Sequence, residues 1–250
     1  MNRILEKWLI KSPKGINLSK EKEIKTILFA DDQLLIADCE DNLQRSVNTL
    51  NAVIREYDMK ISSEKTKLMA IYGKHQRRVK IVVDNKIIEQ VSTFNYLGCQ
   101  ISTEQMNSDL EMNIIKYNKL NGCIKKHFGR NMRTDIKQRL YNVVSKPALR
   151  YGSETWTMRS QDKRRLEAAQ MYFMRSLVGK TRRDRVRNQD VRTQLGVENI
   201  VEEICNYQKQ WKEHVLRMPP CRLPKLAMFY KPNGTRDLGR PRRRWSDQHN

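Results

Sequence analysis

The apolar residues of this chain change their spacing near residue 105, and that change restricts the folds open to it. Before residue 105 they form short segments separated by turn-forming residues, which is typical of β-strands. After Met106 they recur every three or four residues over long stretches, which predicts helices. The sequence therefore predicts an α+β fold in which a strand-containing part precedes a mostly helical part.

The first part predicts a hairpin, a helix and further short strands. Two apolar segments, residues 24–29 and 33–37, flank Ala30-Asp31-Asp32, which predicts a β-hairpin with both aspartates at its tip. Helical spacing of apolar residues begins near Asp41, with Asp41 or Asp38 as the predicted cap. Further strands are expected at residues 67–72, 79–83, 87–88 and 94–101, with a tight turn at residues 84–86.

The second part predicts four helices. Their apolar faces lie at residues 110–124, 136–143, 166–177 and 200–215. Thr134, Ser160 and Asn199 stand at predicted cap positions of the last three. Pro219-Pro220 ends the final helix, because proline lacks the amide hydrogen that a helix needs.

The charge of the chain is strongly positive and unevenly distributed. Its 250 residues contain 49 Lys and Arg against 28 Asp and Glu, a net charge of +21. Residues 1–120 hold 19 of the basic and 16 of the acidic residues, a net charge of +3. Residues 121–250 hold 30 and 12, a net charge of +18. Such an excess favours a polyanionic partner, most often nucleic acid, bound by the helical part.

Two arginine-rich runs concentrate this charge at residues 180–187 and 240–245. Arginine contacts to phosphates give affinity without reading sequence. Trp156 and Trp245 are candidates for stacking on single-stranded bases. The structural alternatives are a solvated helix face for the first run and a frayed terminus for the second. The candidate nucleic-acid-binding residues are Arg182, Arg183, Arg185, Arg187, Arg240, Arg242, Arg243 and Arg244.

Other features argue for an intracellular protein, in the nucleus, the cytoplasm or both. No run of about 18 apolar residues is present, so no membrane span is predicted. The apolar segment nearest the start is interrupted by Glu6 and Lys7, so no secretory signal is expected. The five cysteines are scattered and contain no Cys-x-x-Cys pair, which fits a reducing compartment.

The paired carboxylates of Asp31 and Asp32 are the strongest candidate for a chemical site. Two adjacent aspartates at a turn place several oxygen ligands in a small volume, an arrangement that Mg²⁺ binds together with substrate phosphates. Aspartate is also an ordinary turn residue, so a solvated turn is the alternative.

Several motifs, in order along the chain, resemble reverse transcriptases. Phe29-Ala30-Asp31-Asp32 resembles the catalytic hairpin of their palm, and residues 62–67 (Ser-Ser-Glu-Lys-Thr-Lys) resemble a lysine-bearing segment before the next palm strand. Phe94-Asn95-Tyr96-Leu97-Gly98 resembles the primer-grip hairpin. The best match is to the endonuclease/reverse-transcriptase polyproteins of non-LTR retrotransposons. Their C-terminal region is similar to residues 151–156, 211–218, 222–224 and 239–245 here.

The resemblance implies roles for particular residues. Asp31 and Asp32 would bind Mg²⁺, Lys65 would donate a proton near the leaving pyrophosphate, and Tyr96, Leu97 and Gly98 would lie near the primer end. The implied partners are an RNA template and a DNA primer, with no membrane. The implied regions are a partial palm at residues 1–104, a helical thumb-like region at 105–178 and a basic helical C-terminal region at 179–250.

Two departures from the family pattern qualify this implication. The family's first catalytic aspartate lies on a strand upstream of the hairpin, whereas this chain reaches Asp31 after 30 residues. Gln33 stands where the family usually has an apolar residue, and a buried amide there needs a partner. We therefore expect this polypeptide alone to be inactive and to need the upstream part of the same polyprotein. The alternative is a non-catalytic RNA/DNA-binding module that acts through its basic helical half.

Overall fold

The computed structural model describes residues 2–19, 22–71, 77–103, 108–128, 132–231, 239 and 244–248. They form two compact units of mixed helix and sheet, which agrees with the predicted α+β class. Unit 1 comprises Met1–Phe94, Ser102–Glu104 and Pro219–Gly234, and unit 2 comprises Asn95–Ile101, Gln105–Met218 and Thr235–Asn250. The predicted division at residues 104 and 178 into palm, thumb and C-terminal regions stays a prediction.

The strands are short and pair two at a time. The antiparallel pairs are β1 (Ile16–Asn17) with β2 (Glu23–Ile24), β3 (Thr26–Phe29) with β4 (Asp32–Leu35), and β6 (Val82–Val83) with β7 (Lys86–Ile87). Strand β5 (Lys67–Leu68) pairs in parallel with β8 (Glu89–Gln90), and β9 (Thr93–Tyr96) pairs with β10 (Cys99–Ser102). The turn predicted at residues 84–86 is confirmed, with Asp84 and Asn85 at positive φ.

Unit 1 builds two small cores around one amphipathic helix. Helices α1 (Asn2–Lys11) and α2 (Glu40–Arg55) bury Ile4, Trp8, Leu50, Val53 and Ile54 against each other. The indole nitrogen of Trp8 donates to the Ser46 carbonyl at 2.9 Å, so this fully buried ring has its polar atom satisfied. The second core contains Leu68, Ile81, Val83 and Ile88, with Leu43 and Val47 of α2 packed against it.

The start of α2 differs from the prediction. The cap residue is Cys39, which makes no side-chain cap hydrogen bond, so the predicted caps Asp38 and Asp41 are wrong. The Asp38 carboxylate instead accepts a hydrogen bond from the Asn42 side chain at 2.8 Å. That bond lowers the pKa of Asp38 below its ordinary value.

Unit 2 is mostly helical, includes Asn95–Ile101 of the β9–β10 hairpin and has one large core. Its elements are α3 (Ser108–Phe128), α4 (Thr134–Leu140), a π-helical turn (Tyr141–Ser145), α5 (Lys146–Arg150), a 3-10 turn (Ser153–Thr155), α6 (Ser160–Leu177), α7 (Asn188–Leu195) and α8 (Ile200–Arg217). The core includes Leu110, Tyr117, Tyr141, Phe173 and Ile204. A further helix, α9 (Leu223–Phe229), belongs to unit 1.

The helix boundaries test the predicted caps. Asn199 caps α8 as predicted, because its side-chain oxygen accepts from the Val201 amide at 3.0 Å. Thr134 and Ser160 are instead the first residues of their helices, and the caps are Arg133 and Arg159. At α6 the Asp162 carboxylate accepts from the Arg159 amide at 2.9 Å. Helix α8 ends at Arg217, just before Pro219-Pro220 as predicted. Across the described residues, no helix has both the length and the apolar character needed to cross a membrane.

Candidate active site and nucleic-acid surface

The tip of the β3–β4 hairpin exposes both candidate carboxylates. The predicted hairpin is confirmed: Phe29 is opposite Asp32, so Ala30 and Asp31 form the turn. Ala30 has φ of +54°, a left-handed conformation that is uncommon for alanine. Asp31, Asp32 and the neighbouring Phe29 are all exposed, and Phe29 keeps 62% of its surface accessible. A ligand therefore reaches both carboxylates without any displacement of protein atoms.

The hairpin stem contains the partner that Gln33 needs. The Gln33 amide nitrogen donates to the Thr26 hydroxyl oxygen at 3.2 Å, and that hydroxyl donates to the Leu34 carbonyl at 2.9 Å. These bonds link β3 to β4 beside the main-chain ladder. A polar residue at position 33 is therefore compatible with an ordered hairpin.

The aspartate pair fits part of a magnesium site. Two carboxylates supply the oxygen ligands that Mg²⁺ prefers, with substrate phosphates and water as the remainder. Among the residues that the structure describes, no group of three or more His, Cys, Asp or Glu side chains is arranged to hold a metal ion. A two-metal centre needs carboxylates from further elements, and the described residues do not assemble that set.

Lys65 differs in its contacts from Lys67, the other lysine of residues 62–67. It is exposed in the turn between α2 and β5. Lys67, two positions on, bonds through its amino group to the Glu89 carboxylate at 2.5 Å, across the β5–β8 pair. Lys67 is therefore engaged in an ion pair with Glu89, and Lys65 is not part of that pair.

The primer-grip-like residues form the turn of a second hairpin. Tyr96 ends β9, and the turn consists of Leu97 and Gly98, with φ of +50° and +80°. Leucine at positive φ is strained, and such strain persists only where neighbouring contacts hold the backbone. Two side chains hold it here. The Tyr151 hydroxyl donates to the Leu97 carbonyl at 2.7 Å, and the Lys116 amino group contacts the Gly98 carbonyl at 3.5 Å.

Residues 151–156, hereafter the 151–156 segment, are themselves fixed by buried polar groups. The Asn113 side chain donates to the Tyr151 carbonyl at 2.7 Å. The Gln208 side chain donates to the carbonyls of Ser153 and Trp156 at 2.7 and 3.0 Å. The motif that resembled the family's C-terminal region thus supports the Leu97–Gly98 turn.

Asp109 is the residue that joins this segment to the hairpin, and sequence reasoning missed it. Its buried carboxylate accepts from the Gln100 amide and from the Trp156 indole nitrogen, each at 2.9 Å. Gly152 packs close by, at φ of +69°, where a Cβ would meet the Cys99 sulfur at 2.6 Å. The sequence signal was an aspartate beside the apolar face of α3, but a first-turn aspartate is common in helices.

The arginine loop, residues 180–187, is the strongest cationic feature in the described residues of unit 2. Its backbone is held by Arg175 of α6, whose guanidinium donates to the Val186 carbonyl at 2.7 Å and to the Asn188 side chain at 2.8 Å. The Asp184 carboxylate accepts from the Thr181 amide at 2.6 Å and from the Thr181 hydroxyl at 2.9 Å, which lowers the pKa of Asp184. The four predicted binding residues of this loop are all exposed: Arg182, Arg183, Arg185 and Arg187.

The second arginine run is described only at its end. Arg240, Arg242 and Arg243 lie outside the described residues, whereas Arg244 is exposed. The neighbouring Trp245 is half-buried, and its indole nitrogen donates to the Glu154 carbonyl at 2.7 Å.

The prediction that Trp156 stacks on bases is wrong. This side chain is 4% exposed and belongs to the core of unit 2, with its indole nitrogen bonded to Asp109. Some of the positive charge is also structural. Arg192 is buried and pairs with Glu167 at 2.6 Å, and Lys146 pairs with Glu203 at 3.3 Å. The net charge of a region therefore overstates the number of cations open to a ligand.

Comparison with known proteins finds a reverse-transcriptase family model that matches the first part of the chain and a transposon-derived relative. Residues 1–101, which include the Asp31–Asp32 hairpin, match the sequence model of the family "Reverse transcriptase (RNA-dependent DNA polymerase)". The chain is also 26% identical over 239 residues to a putative uncharacterized transposon-derived protein of Caenorhabditis elegans. That alignment covers 90% of this chain and 84% of the relative. No solved structure matches the chain.

Proposed function

We propose that residues 1–101 are part of the palm of an RNA-directed DNA polymerase of a non-LTR retrotransposon. The observation that carries this proposal is the pair of exposed carboxylates, Asp31 and Asp32, at a hairpin tip within the segment that matches reverse transcriptases. An ordinary solvated turn explains the exposure but not the family match around it.

The proposed roles are those that the resemblance to reverse transcriptases implies, and the exposure of Asp31, Asp32 and Lys65 is compatible with them. Asp31 and Asp32 would hold Mg²⁺, which when bound stabilises negative charge on the oxygens of a transferring phosphoryl group. Lys65, exposed in its turn, would donate a proton near the pyrophosphate. Tyr96, Leu97 and Gly98 would support the primer end, and the Tyr151 hydroxyl on the Leu97 carbonyl would keep that turn rigid.

The RNA template and DNA primer would bind through the arginine loop and Arg244. Arg182, Arg183, Arg185 and Arg187 project from a backbone that Arg175 holds in place, so phosphate contacts cost little ordering of the main chain. Such contacts are independent of sequence, and their affinity falls steeply with salt because bound counterions are released.

The second proposal is that this polypeptide alone does not polymerise. Asp31 and Asp32 are two ligands, and a pair of metal ions needs more carboxylate oxygens than two side chains at one turn supply. The upstream part of the same polyprotein would provide them. On this view the chain acts by itself as a non-catalytic RNA/DNA-binding module.

Metal binding at the hairpin is tested with a paramagnetic ion. Mn²⁺ added to the isotopically labelled chain should broaden the amide NMR signals of residues 29–33. The signals of the Asp84–Asn85 turn, a second hairpin tip with an exposed aspartate, are the internal control and should stay sharp. The broadening should disappear in Asp31→Asn and Asp32→Asn. Equal broadening at both turns would contradict a specific site at Asp31 and Asp32.

Polymerisation and binding are tested separately. The chain is mixed with an RNA template, an annealed DNA primer, deoxynucleotides and Mg²⁺, and we expect binding without primer extension. Extension that is lost in Asp31→Asn would overturn the proposed inactivity and establish the enzyme. Absence of binding even at low salt would contradict the nucleic-acid-binding function itself.

A further inference from the structure

A groove between α3 and α6 combines an exposed aromatic ring with cationic side chains. Hereafter the α3–α6 groove, it has a volume of about 420 Å³ and is lined by Ile114, Asn118, Arg165, Ala168, Tyr172 and Arg182, among others. Small-molecule clefts in proteins span roughly 300–1,000 Å³, so the groove has room for one planar ring system. The roles proposed above leave the ring unassigned.

The groove exists because of a regular arrangement of small and large residues. Arg165, Ala168 and Tyr172 recur on one face of α6 at helical spacing, and Ile114 and Asn118 do so on α3. Ala168 lines the groove and is exposed. A larger side chain at this lining position would take up part of the groove.

The ring of Tyr172 lies at the surface and is not part of the core of unit 2. It is 67% exposed, whereas the next residue, Phe173, is fully buried in the core of unit 2. The amino group of Lys125 lies 4.5 Å from the centre of the Tyr172 ring. A cation at this distance is attracted to the face of an aromatic ring.

Three cationic side chains lie near the ring or line the groove, and each comes from a different segment of the chain. Lys125 comes from α3, Arg165 from α6, and Arg182 from the arginine loop that Arg175 holds. Arg165 is already ion-paired, because its guanidinium donates to the Glu111 carboxylate at 2.5 Å. A guanidinium carries five donor hydrogens, so Arg165 keeps donors for a further anion.

We propose that the α3–α6 groove binds an unpaired base of single-stranded nucleic acid, stacked on Tyr172, with Arg182 and Arg165 contacting the adjacent phosphates. The proposal rests on the nucleic-acid-binding function proposed above and assigns it a specific site. An aromatic ring between cations matches both parts of a nucleotide, because bases stack on rings and phosphates pair with guanidinium groups. In a duplex the faces of the bases are already stacked, so a single strand is the ligand that fits.

The test compares two tyrosines that have similar surroundings. Tyr57 is also exposed and also has a lysine amino group near its ring, that of Lys7 at 5.1 Å, but it does not line the groove. Affinities of wild type, Tyr172→Ala, Tyr172→Phe and Tyr57→Ala are measured by fluorescence anisotropy at constant salt. The probes are a single-stranded oligouridine and a duplex RNA of equal length.

We expect Tyr172→Ala to weaken single-strand binding by at least about fivefold, since stacking one base contributes that much or more. Tyr172→Phe and Tyr57→Ala should change it by less than about twofold, and duplex binding should be unchanged in these variants.

A second pair of variants separates binding in the groove from the effect of net charge alone. Ala168→Glu and Gln210→Glu change the net charge equally, but only Ala168 lines the groove. Ala168→Glu should therefore weaken single-strand binding much more than Gln210→Glu.

Each outcome either supports or overturns the inference. If wild type binds but Tyr172→Ala and Ala168→Glu both bind the single strand as wild type does, the groove proposal is wrong while the binding function stands. If the duplex loses as much affinity as the single strand, stacking of an unpaired base is wrong. If wild type binds neither probe at low salt, the binding function itself is wrong, and the groove proposal falls with it. Far-ultraviolet circular dichroism checks that each variant is folded.

Discussion

The two units use their aspartates in opposite ways. In unit 1, Asp31 and Asp32 stand exposed at a turn, open to a ligand. In unit 2, Asp109 is buried and accepts hydrogen bonds from the Gln100 amide and the Trp156 indole. A buried carboxylate that accepts two hydrogen bonds is committed to the fold, whereas an exposed pair is available for chemistry. The same residue type therefore marks a candidate site in one unit and a structural joint in the other.

The cores of the two units also differ. Unit 1 divides its buried apolar residues between two clusters, one that joins Trp8 to the second half of α2 and one that packs against Leu43 and Val47 in its first half. Unit 2 gathers residues from α3, α6, α7 and α8 into one larger cluster around Phe173. We therefore expect stability to depend most on unit 2, while unit 1 tolerates change at its exposed turns.

The largest expected effect contrasts two adjacent aromatics of α6. Phe173→Ala should lower the free energy of unfolding by about 3–5 kcal/mol, because it leaves a cavity in a fully buried site. Tyr172→Ala should change it by about 0.5 kcal/mol or less, because that ring is largely exposed. Urea unfolding followed by circular dichroism measures both. Equal losses in the two variants would contradict the division between core and groove.

The next largest effect tests the joint at Asp109. Asp109→Asn keeps the shape of the side chain but replaces one acceptor oxygen with a donor that faces an indole or amide hydrogen. We expect a loss of about 1–3 kcal/mol in urea unfolding, the usual cost of an unmatched buried polar group. The 151–156 segment should also loosen, which amide hydrogen exchange at Leu97 and Gly98 would report. Unchanged exchange at this turn would show that Asp109 does not support it.

Sequence reasoning succeeded where local patterns decide the structure. The hairpin around Asp31, the Asp84–Asn85 turn and the Asn199 cap all follow from residues close together in the chain. It failed where contacts are distant. Trp156 looked available for stacking, but it is buried in the core of unit 2 and its indole nitrogen donates to Asp109, which lies 47 positions away. No pattern in one sequence records which of the many charged side chains such a contact will select.

For the candidate sites, too, sequence reasoning found what local patterns reveal and missed what depends on distant contacts. The arginine loop was predicted because its charge is dense, and the exposure of its arginines agrees with that prediction. The groove beside it was missed because helical spacing places Phe173 on the apolar face of α6 but does not indicate what an exposed Tyr172 beside it binds. Arg175 was missed because its role is to hold backbone carbonyls, a contact that requires the loop to fold back onto α6.

A smaller effect concerns the buried hydroxyl of Tyr141. It accepts from the Gln170 amide at 3.0 Å, and burial raises the pKa of Tyr141 well above its usual value of 10.0. The folded state therefore keeps the phenol protonated while the unfolded state loses the proton. The stability that this group contributes is complete below about pH 10 and is lost as the pH rises from there toward the raised pKa.

Tyr141→Phe tests this dependence. At pH 7 the variant should be less stable by about 1 kcal/mol, the usual value of one hydrogen bond. The Gln170 amide keeps its bond to the Glu198 carbonyl at 2.8 Å, which limits the loss. Above about pH 10 the gap between wild type and variant should narrow, because only the wild type has a phenol to ionise on unfolding. Urea unfolding at neutral and alkaline pH measures the gap, and a constant gap would contradict the burial of this hydroxyl.

The smallest expected effect is at Asp31, and it sharpens the contrast with Asp109. Asp31→Asn, the same substitution as at position 109, should change the free energy of unfolding by about 0.5 kcal/mol or less, because the side chain is exposed. Ala30→Gly at the same turn is the positive control. It relieves a positive φ of +54° and should stabilise the chain by about 1 kcal/mol, which shows that the measurement senses the hairpin. If Asp31→Asn cost as much as Asp109→Asn, Asp31 would be a structural residue like Asp109, and its availability to a metal ion would be in conflict with the data.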